Sequence, residues 1–327
     1  MDLVYILYAG PPASDEDYIN RKWIADPKNL VWPQCSTIDN VGCGSNPRTF
    51  DKVTINDYEV SSELDGLFSY NPENMYGDSV PVPAGIGVPC HEFGHGLGLP
   101  DGYHTISKAN NNFDWDIMDY GCYNGNCCVP PGYTAYQRWF MGWLTPRQLS
   151  TNETCSLPPL ENDSVAFLIC GDGTHNLDGE HPSPASFYLI ENRQQIGWDT
   201  YLPGHGMLLT KINYDAEKWA HNRPNNSTPL GIDIIEADGV RMQSNKGPKP
   251  TDAFPAGATS YRGITAYPIE DIKETGGVIT FRVTGEVPTG ENVSHIQTGE
   301  SGVLVIKEGN IYIQKSNRLY DLLGNCR

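Results

Sequence analysis

Cys90-His91-Glu92-Phe93-Gly94-His95-Gly96-Leu97-Gly98-Leu99-Pro100-Asp101 is the stretch on which the reading of this chain turns. It holds His-Glu-x-x-His. Residues four apart on a helix lie on one face, one turn above each other. His91 and His95 can then offer one ring nitrogen each to a single ion, and Glu92 lies beside them with a carboxylate able to accept a proton from metal-activated water. The spacing predicts a helix over 86–97. Gly98 tolerates the left-handed conformation that ends a helix, and Pro100 stops it from resuming. The chain then turns back, so Asp101 is expected as a third ligand; zinc accepts carboxylate oxygen as well as imidazole nitrogen. The rival reading is a pair of core histidines satisfied by ordinary hydrogen bonds.

Downstream lies Phe113-Asp114-Trp115-Asp116-Ile117-Met118-Asp119-Tyr120-Gly121. A methionine in a tight turn after the metal helix resembles the Met-turn of metzincins, with Asp101 standing where they carry a third histidine. Met118 is expected to form an apolar floor beneath the metal without ligating it. Tyr120 is expected to donate a hydrogen bond to the oxyanion of a tetrahedral intermediate. His104 reads as a solvated loop residue. Residues 133–149 have helical spacing of aromatics and leucines between Pro131-Gly132 and Pro146, and are expected to pack under the Met-turn. Upstream, 2–9 and 52–63 read as strands. The second is either an ordinary sheet strand or the cleft edge on which an extended peptide would pair.

The 327 residues suffice for two domains. A formal charge of −18, from 22 basic against 40 acidic side chains, argues against nucleic acid and anionic membranes as partners. No apolar run is long enough to span a bilayer. Nine cysteines include Cys35 and Cys43 in one loop, Cys122, Cys127 and Cys128 in another, and Cys155 and Cys170 about a turn. Such spacing suits disulfides in an oxidising compartment; a second zinc site is the rival, without a Cys-x-x-Cys pair to support it. Cys90 reads as a small packing residue. Residues 1–10 lack the basic segment and cleavage pattern of a signal peptide. A chain that opens directly on a strand reads as a fragment of something longer.

After residue 150 the texture changes. Short alternating runs at 156–171, 185–192, 204–214, 232–236 and 277–283 are separated by Gly, Pro, Asn and Asp, as in an all-β module. Asp199, Asn213, Asp215, Asp233, Glu236, Asp238 and Asp252 could supply oxygens to calcium, or serve as solvated turn residues. Residues 303–306 and 311–313 predict a hairpin. The expected organisation is a catalytic domain over 1–150 lacking its N-terminal part, a β-rich domain over 151–286, and over 287–327 a linker and the start of a C-terminal β module.

Several runs resemble immune inhibitor A-like secreted zinc metallopeptidases: 87–101, Asp116-Ile117-Met118-Asp119-Tyr120-Gly121, Trp139-Phe140-Met141-Gly142-Trp143-Leu144, Tyr188-Leu189-Ile190-Glu191-Asn192-Arg193, Gly197-Trp198-Asp199, Leu202-Pro203-Gly204-His205-Gly206 and Glu236-Ala237-Asp238-Gly239. The resemblance implies an α+β fold: a metzincin-like catalytic domain followed by an all-β, sandwich-like one. It also implies zinc, calcium in many members, a zymogen precursor, secretion or a cell-surface location, and protein or peptide substrates. Carried across residue by residue, His91, His95 and Asp101 are the metal ligands and Glu92 the general base. The expected protein is a monomeric zinc endopeptidase. The rival class is a non-catalytic surface or adhesion protein whose metal is structural, which would require a fourth protein ligand. The tail at 320–324 resembles the start of a cell-surface sorting module.

Overall fold

The computed structural model describes residues 3–10, 12–13, 31–39, 48–65, 82–107, 112–171, 173–242, 247–285, 296–298, 302–307, 310–315 and 318–321. It mixes several sheets with few helices. The first strands are β1 (Leu3–Tyr8), β2 (Gln34–Thr37), β3 (Arg48–Phe50), β4 (Val53–Ile55) and β5 (Asp57–Ser62). The expected strand over 52–63 is broken into β4 and β5. Asp51 and Lys52 turn the β3–β4 hairpin at φ of 48° and 74°. β5 runs parallel to β1 and antiparallel to β2, between the two. A strand paired on both sides has no free backbone donors to offer a peptide. Of the two readings of 52–63, the cleft edge is therefore excluded for 57–62 and the ordinary sheet strand holds there; among the described residues β2 and β1 are the edges of this sheet.

β6 (Leu64–Asp65) pairs with β7 (Val82–Pro83) and returns the chain to α1 (Gly87–Gly96), which packs on β5 and β2. α1 ends where the sequence predicts. Gly98 has φ +94°, its N–H donates to the His95 carbonyl at 2.9 Å, and the Leu99 N–H donates to the Gly94 carbonyl at 3.0 Å. This is a Schellman cap, and it swings Pro100 and Asp101 back along the helix. A Cβ on Gly94 would lie 2.6 Å from the Met118 sulfur, so only glycine lets the turn at Met118 press this close.

α2 (Ala135–Phe140) opens with a capping box between Thr134 and Gln137. It is shorter than the expected 133–149. Gly142, at φ +73°, closes a second Schellman cap in which Trp143 N–H bonds the Arg138 carbonyl. The packing expected of this segment is present: Tyr133, Phe140 and Met141 lie against the cluster of Leu99, Ile117, Met118 and Cys122.

The remaining elements are β8 (Arg147–Gln148), β9 (Glu153–Leu157), β10 (Phe167–Ile169), β11 (Ser186–Arg193), β12 (Gly206–Asn213), α3 (Ala216–Ala220), β13 (Ile232–Ile234), β14 (Ile269–Thr275) and β15 (Val278–Val283). They form a sheet ordered β13-β12-β11-β10-β8 and another ordered β14-β15-β9. Alternation along the strands places side chains on opposite faces. Phe167, Ile169, Ile190, Met207 and Leu209 face Leu157, Ile269, Ile279 and Phe281 of the second sheet. Leu168, Phe187, Leu189 and Ile212 face the other way, onto Tyr136, Trp139 and Trp219. Phe113 and Trp115, just before Met118, are buried with Leu208, Ile234 and Met242. The segment carrying Met118 is thus anchored on the large sheet.

β16 (Ile296–Thr298), β17 (Gly302–Lys307), β18 (Asn310–Lys315) and β19 (Arg318–Asp321) form an antiparallel sheet in chain order, and β17–β18 is the expected hairpin. Among the described residues no helix is long and apolar enough to cross a membrane. Cys35, Cys90, Cys122, Cys128, Cys155 and Cys170 are free thiols, so none of the disulfides that the spacing suits is formed among them; Cys43 lies outside the described residues.

Candidate metal centre

His91 and His95 project from one face of α1, with ring centroids 4.9 Å apart. Each ring is fixed through Nδ1. His91 Nδ1 donates to the Ile117 carbonyl and His95 Nδ1 to the Leu99 carbonyl, both at 2.8 Å. A carbonyl oxygen only accepts, so Nδ1 carries the proton in each ring and Nε2 of the neutral imidazole presents a lone pair. Both Nε2 atoms lie 3.2 Å from one oxygen, Asp101 Oδ1. That oxygen is buried and accepts no hydrogen bond while both Nε2 atoms are unprotonated. Three lone-pair donors converging in a buried place repel one another unless a cation or protons lie between them. Two imidazoles and a carboxylate are a zinc donor set, and their approach fits such an ion. Among the described residues, His91, His95 and Asp101 are the one group of three His, Cys, Asp or Glu side chains close enough to share a metal.

Without metal, protons serve instead. Burial disfavours the charged His91 ring, but hydrogen bonding to Asp101 outweighs it and raises its pKa well above the ordinary value. Burial likewise opposes ionisation of Asp101, and the two imidazoles overcome it to hold the carboxyl far below the usual range. Metal uptake then releases protons.

Met118 is fully buried, its sulfur against Gly94. Its turn is braced by Asp116. Asp116 Oδ1 accepts from Met118 N–H at 2.8 Å and from Gln137 Nε2 at 2.6 Å, tying the turn to α2. Glu92 Oε2 accepts the Cys35 N–H of β2 at 2.7 Å. The exposed Tyr120 ring stacks beside Tyr123, with centroids 4.8 Å apart. Among the described residues no hydrogen bond joins Tyr120 to Asp101 or either imidazole.

Three groups escaped the sequence reading. The Tyr103 hydroxyl bonds Asp101, and burial together with that carboxylate pushes its pKa far above 10. Asn222, 121 residues downstream, hydrogen-bonds Asp101. Glu59, on the central strand β5, is buried with Oε2 unbonded. Burial first, then repulsion from Glu92, raises its pKa to about 8. A carboxyl raised in the folded state contributes its stability fully below its unfolded pKa, near 4.5, and loses it as pH rises through about 8. Metal-free Glu59→Gln should therefore lose less stability than wild type between pH 5 and 9, by roughly 3 kcal/mol in urea titrations. Parallel pH curves for the two proteins would contradict the assignment.

The oxygens named for calcium are engaged elsewhere. Asp199 pairs with Arg193, Asp215 caps α3, Asn213 Oδ1 accepts from Ser186 Oγ, and Asp233 pairs with Arg241. Glu236 accepts from Met242 N–H, Asp238 from Val240 N–H and Thr251, and Asp252 from Trp115 and Lys249 N–H.

Comparison with known proteins points the same way as the geometry. Residues 70–144 match the catalytic domain of the immune inhibitor A peptidase M6 family. The chain is also 33% identical over 130 residues to the pre-pro-metalloprotease PrtV of Vibrio cholerae serotype O1, in each of two strains. That alignment covers 35% of this chain and 14% of the length of these curated relatives. The chain thus resembles the immune inhibitor A-like metallopeptidases, in the segment that carries His91, Glu92, His95, Asp101 and Met118.

Proposed function

We propose that this chain is a zinc-dependent endopeptidase acting on protein substrates outside the cell, with a metzincin-like catalytic part followed by a sandwich-like β part. The observation that carries the reading is the convergence of His91 Nε2, His95 Nε2 and Asp101 Oδ1, with both Nδ1 atoms already committed to carbonyls. When bound, zinc would supply Lewis acidity, acidifying a water and polarising the scissile carbonyl. The remaining work falls to side chains of this protein. Glu92 takes the proton from water and passes it to the leaving amine. The Cys35 N–H on Oε2 fixes the carboxylate and leaves Oε1 to carry the proton. β2, the edge beside Glu92, aligns an extended substrate through backbone hydrogen bonds. Tyr120 supplies the hydroxyl that steadies the oxyanion. An anionic third ligand leaves the metal less acidifying than a third imidazole would, so the activity optimum is expected near neutral pH or above.

Purified protein should carry about one equivalent of zinc and cleave casein. A zinc chelator should abolish cleavage, and added zinc should restore it. A folded protein with its zinc in place and no cleavage of casein would overturn the proposal.

A further inference from the structure

Asp101 does not hold its place unaided. Asn222 Nδ2 donates to Asp101 Oδ2 at 2.7 Å, and Asn222 Oδ1 accepts the Asp101 backbone N–H at 2.6 Å. One amide thus grips both the side chain and the main chain of the third donor. With the Tyr103 hydroxyl, which bonds the same carboxylate, it holds Oδ2 and leaves Oδ1 facing the two imidazoles.

The grip is rigid for reasons visible in the chain. Asp215 caps the start of α3, accepting from the Glu217 and Lys218 N–H groups. Trp219 buries the helix against Tyr136 of α2, ring centroids 6.2 Å apart. The helix closes with a Schellman cap: Asn222 N–H bonds the Trp219 carbonyl and Arg223 N–H the Lys218 carbonyl. Asn222 takes the left-handed position of that cap at φ 52°, which asparagine tolerates better than most residues. Two neighbours continue the hold. Asn225 Nδ2 donates to the Gly102 carbonyl at 2.6 Å, and Asn226 Oδ1 accepts the Thr105 N–H at 2.8 Å.

We infer that Asn222 is a positioning residue for the metal centre: it fixes Asp101 as a one-oxygen donor, and through it the segment after β12 completes the site. The inference rests on the zinc reading above. Outer partners that orient a ligand typically alter metal affinity by about 10–100-fold.

The test uses the full chain and zinc itself, in competition with a chelating dye, with cobalt(II) spectra as a second readout. Asn222→Gly keeps the left-handed backbone, and Asn222→Asp keeps the shape and the acceptor while placing a carboxylate against Oδ2. Both should remain folded by circular dichroism and bind zinc about 10–100-fold more weakly. Asn222→Gly should also change the visible cobalt bands, as Asp101 loses the amide that aims it at the ion. Asn226→Ala, which loosens the same loop without touching Asp101, should leave zinc affinity near wild type. Wild-type zinc affinity and cobalt spectrum in folded Asn222→Gly and Asn222→Asp would overturn the inference alone. A wild-type protein that takes up no zinc would overturn the metal reading, and the inference with it.

Discussion

Glu92→Ala should retain its zinc and lose casein cleavage by about 10²–10⁴-fold, the range contributed by a positioned general base. Glu92 does not approach the ion site as the two histidines do: its Oε2 is tied to the Cys35 N–H, and His91, His95 and Asp101 form the cluster without it. Removing its carboxylate therefore leaves the ligand set intact. It should even relieve a cost, because Glu92 is one of the charges that hold Glu59 protonated. The expected signature is a kcat defect with unchanged zinc stoichiometry and unimpaired folding. Zinc lost together with activity would make Glu92 a ligand; equal cleavage by variant and wild type would remove it from the chemistry.

The second large effect is on stability. Arg193→Ala should destabilise the protein by about 3–5 kcal/mol, a large share of the 5–15 kcal/mol that holds a typical domain folded. Arg193 is fully buried at the end of β11. Its guanidinium makes a paired contact with Asp199, at 2.6 and 2.7 Å, and reaches Glu191 at 3.1 Å and the Gly132 carbonyl at 3.0 Å. Both carboxylates also accept main-chain donors, Asp199 from Gly132 and Glu191 from Ala135. Truncating the arginine leaves two buried anions without their cation, which costs more than the lost contacts themselves. The network also bears on the site. It pins the loop before α2, and from that loop the Tyr133 hydroxyl donates to the Cys90 carbonyl on α1 at 2.5 Å. Arg193→Lys should recover only part of the loss, since an ammonium cannot reproduce the paired geometry. A loss below about 1 kcal/mol in denaturant titrations of Arg193→Ala would contradict this account.

These two residues show what the sequence makes legible. His91, Glu92 and His95 are read from a helical period, and the stop at Gly98 from a conformational rule, because both depend only on neighbours along the chain. The hairpin over β17 and β18 was legible for the same reason. Arg193 could be singled out only within a motif; its partners at 132 and 199 are brought together by the fold. The choice between edge and ordinary strand for 52–63 stayed open for a similar reason, since pairing on both sides of β5 depends on strands at 3–8 and 34–37 that no local pattern links. α3 has five residues, too few for a periodic signal, yet it delivers Asn222 to Asp101. Glu59 carries no signal of its own within the strand read over 52–63, and its burial beside the site is a property of the sheet.

The most direct test of the central claim is X-ray absorption at the zinc edge of the loaded protein. The account predicts two imidazole nitrogens near ~2.0–2.1 Å, one carboxylate oxygen at about 2.0–2.2 Å, and a further oxygen from solvent. A sulfur shell near ~2.3 Å would contradict it, because Cys122, which lies against His91, would then close the site and leave no place for water.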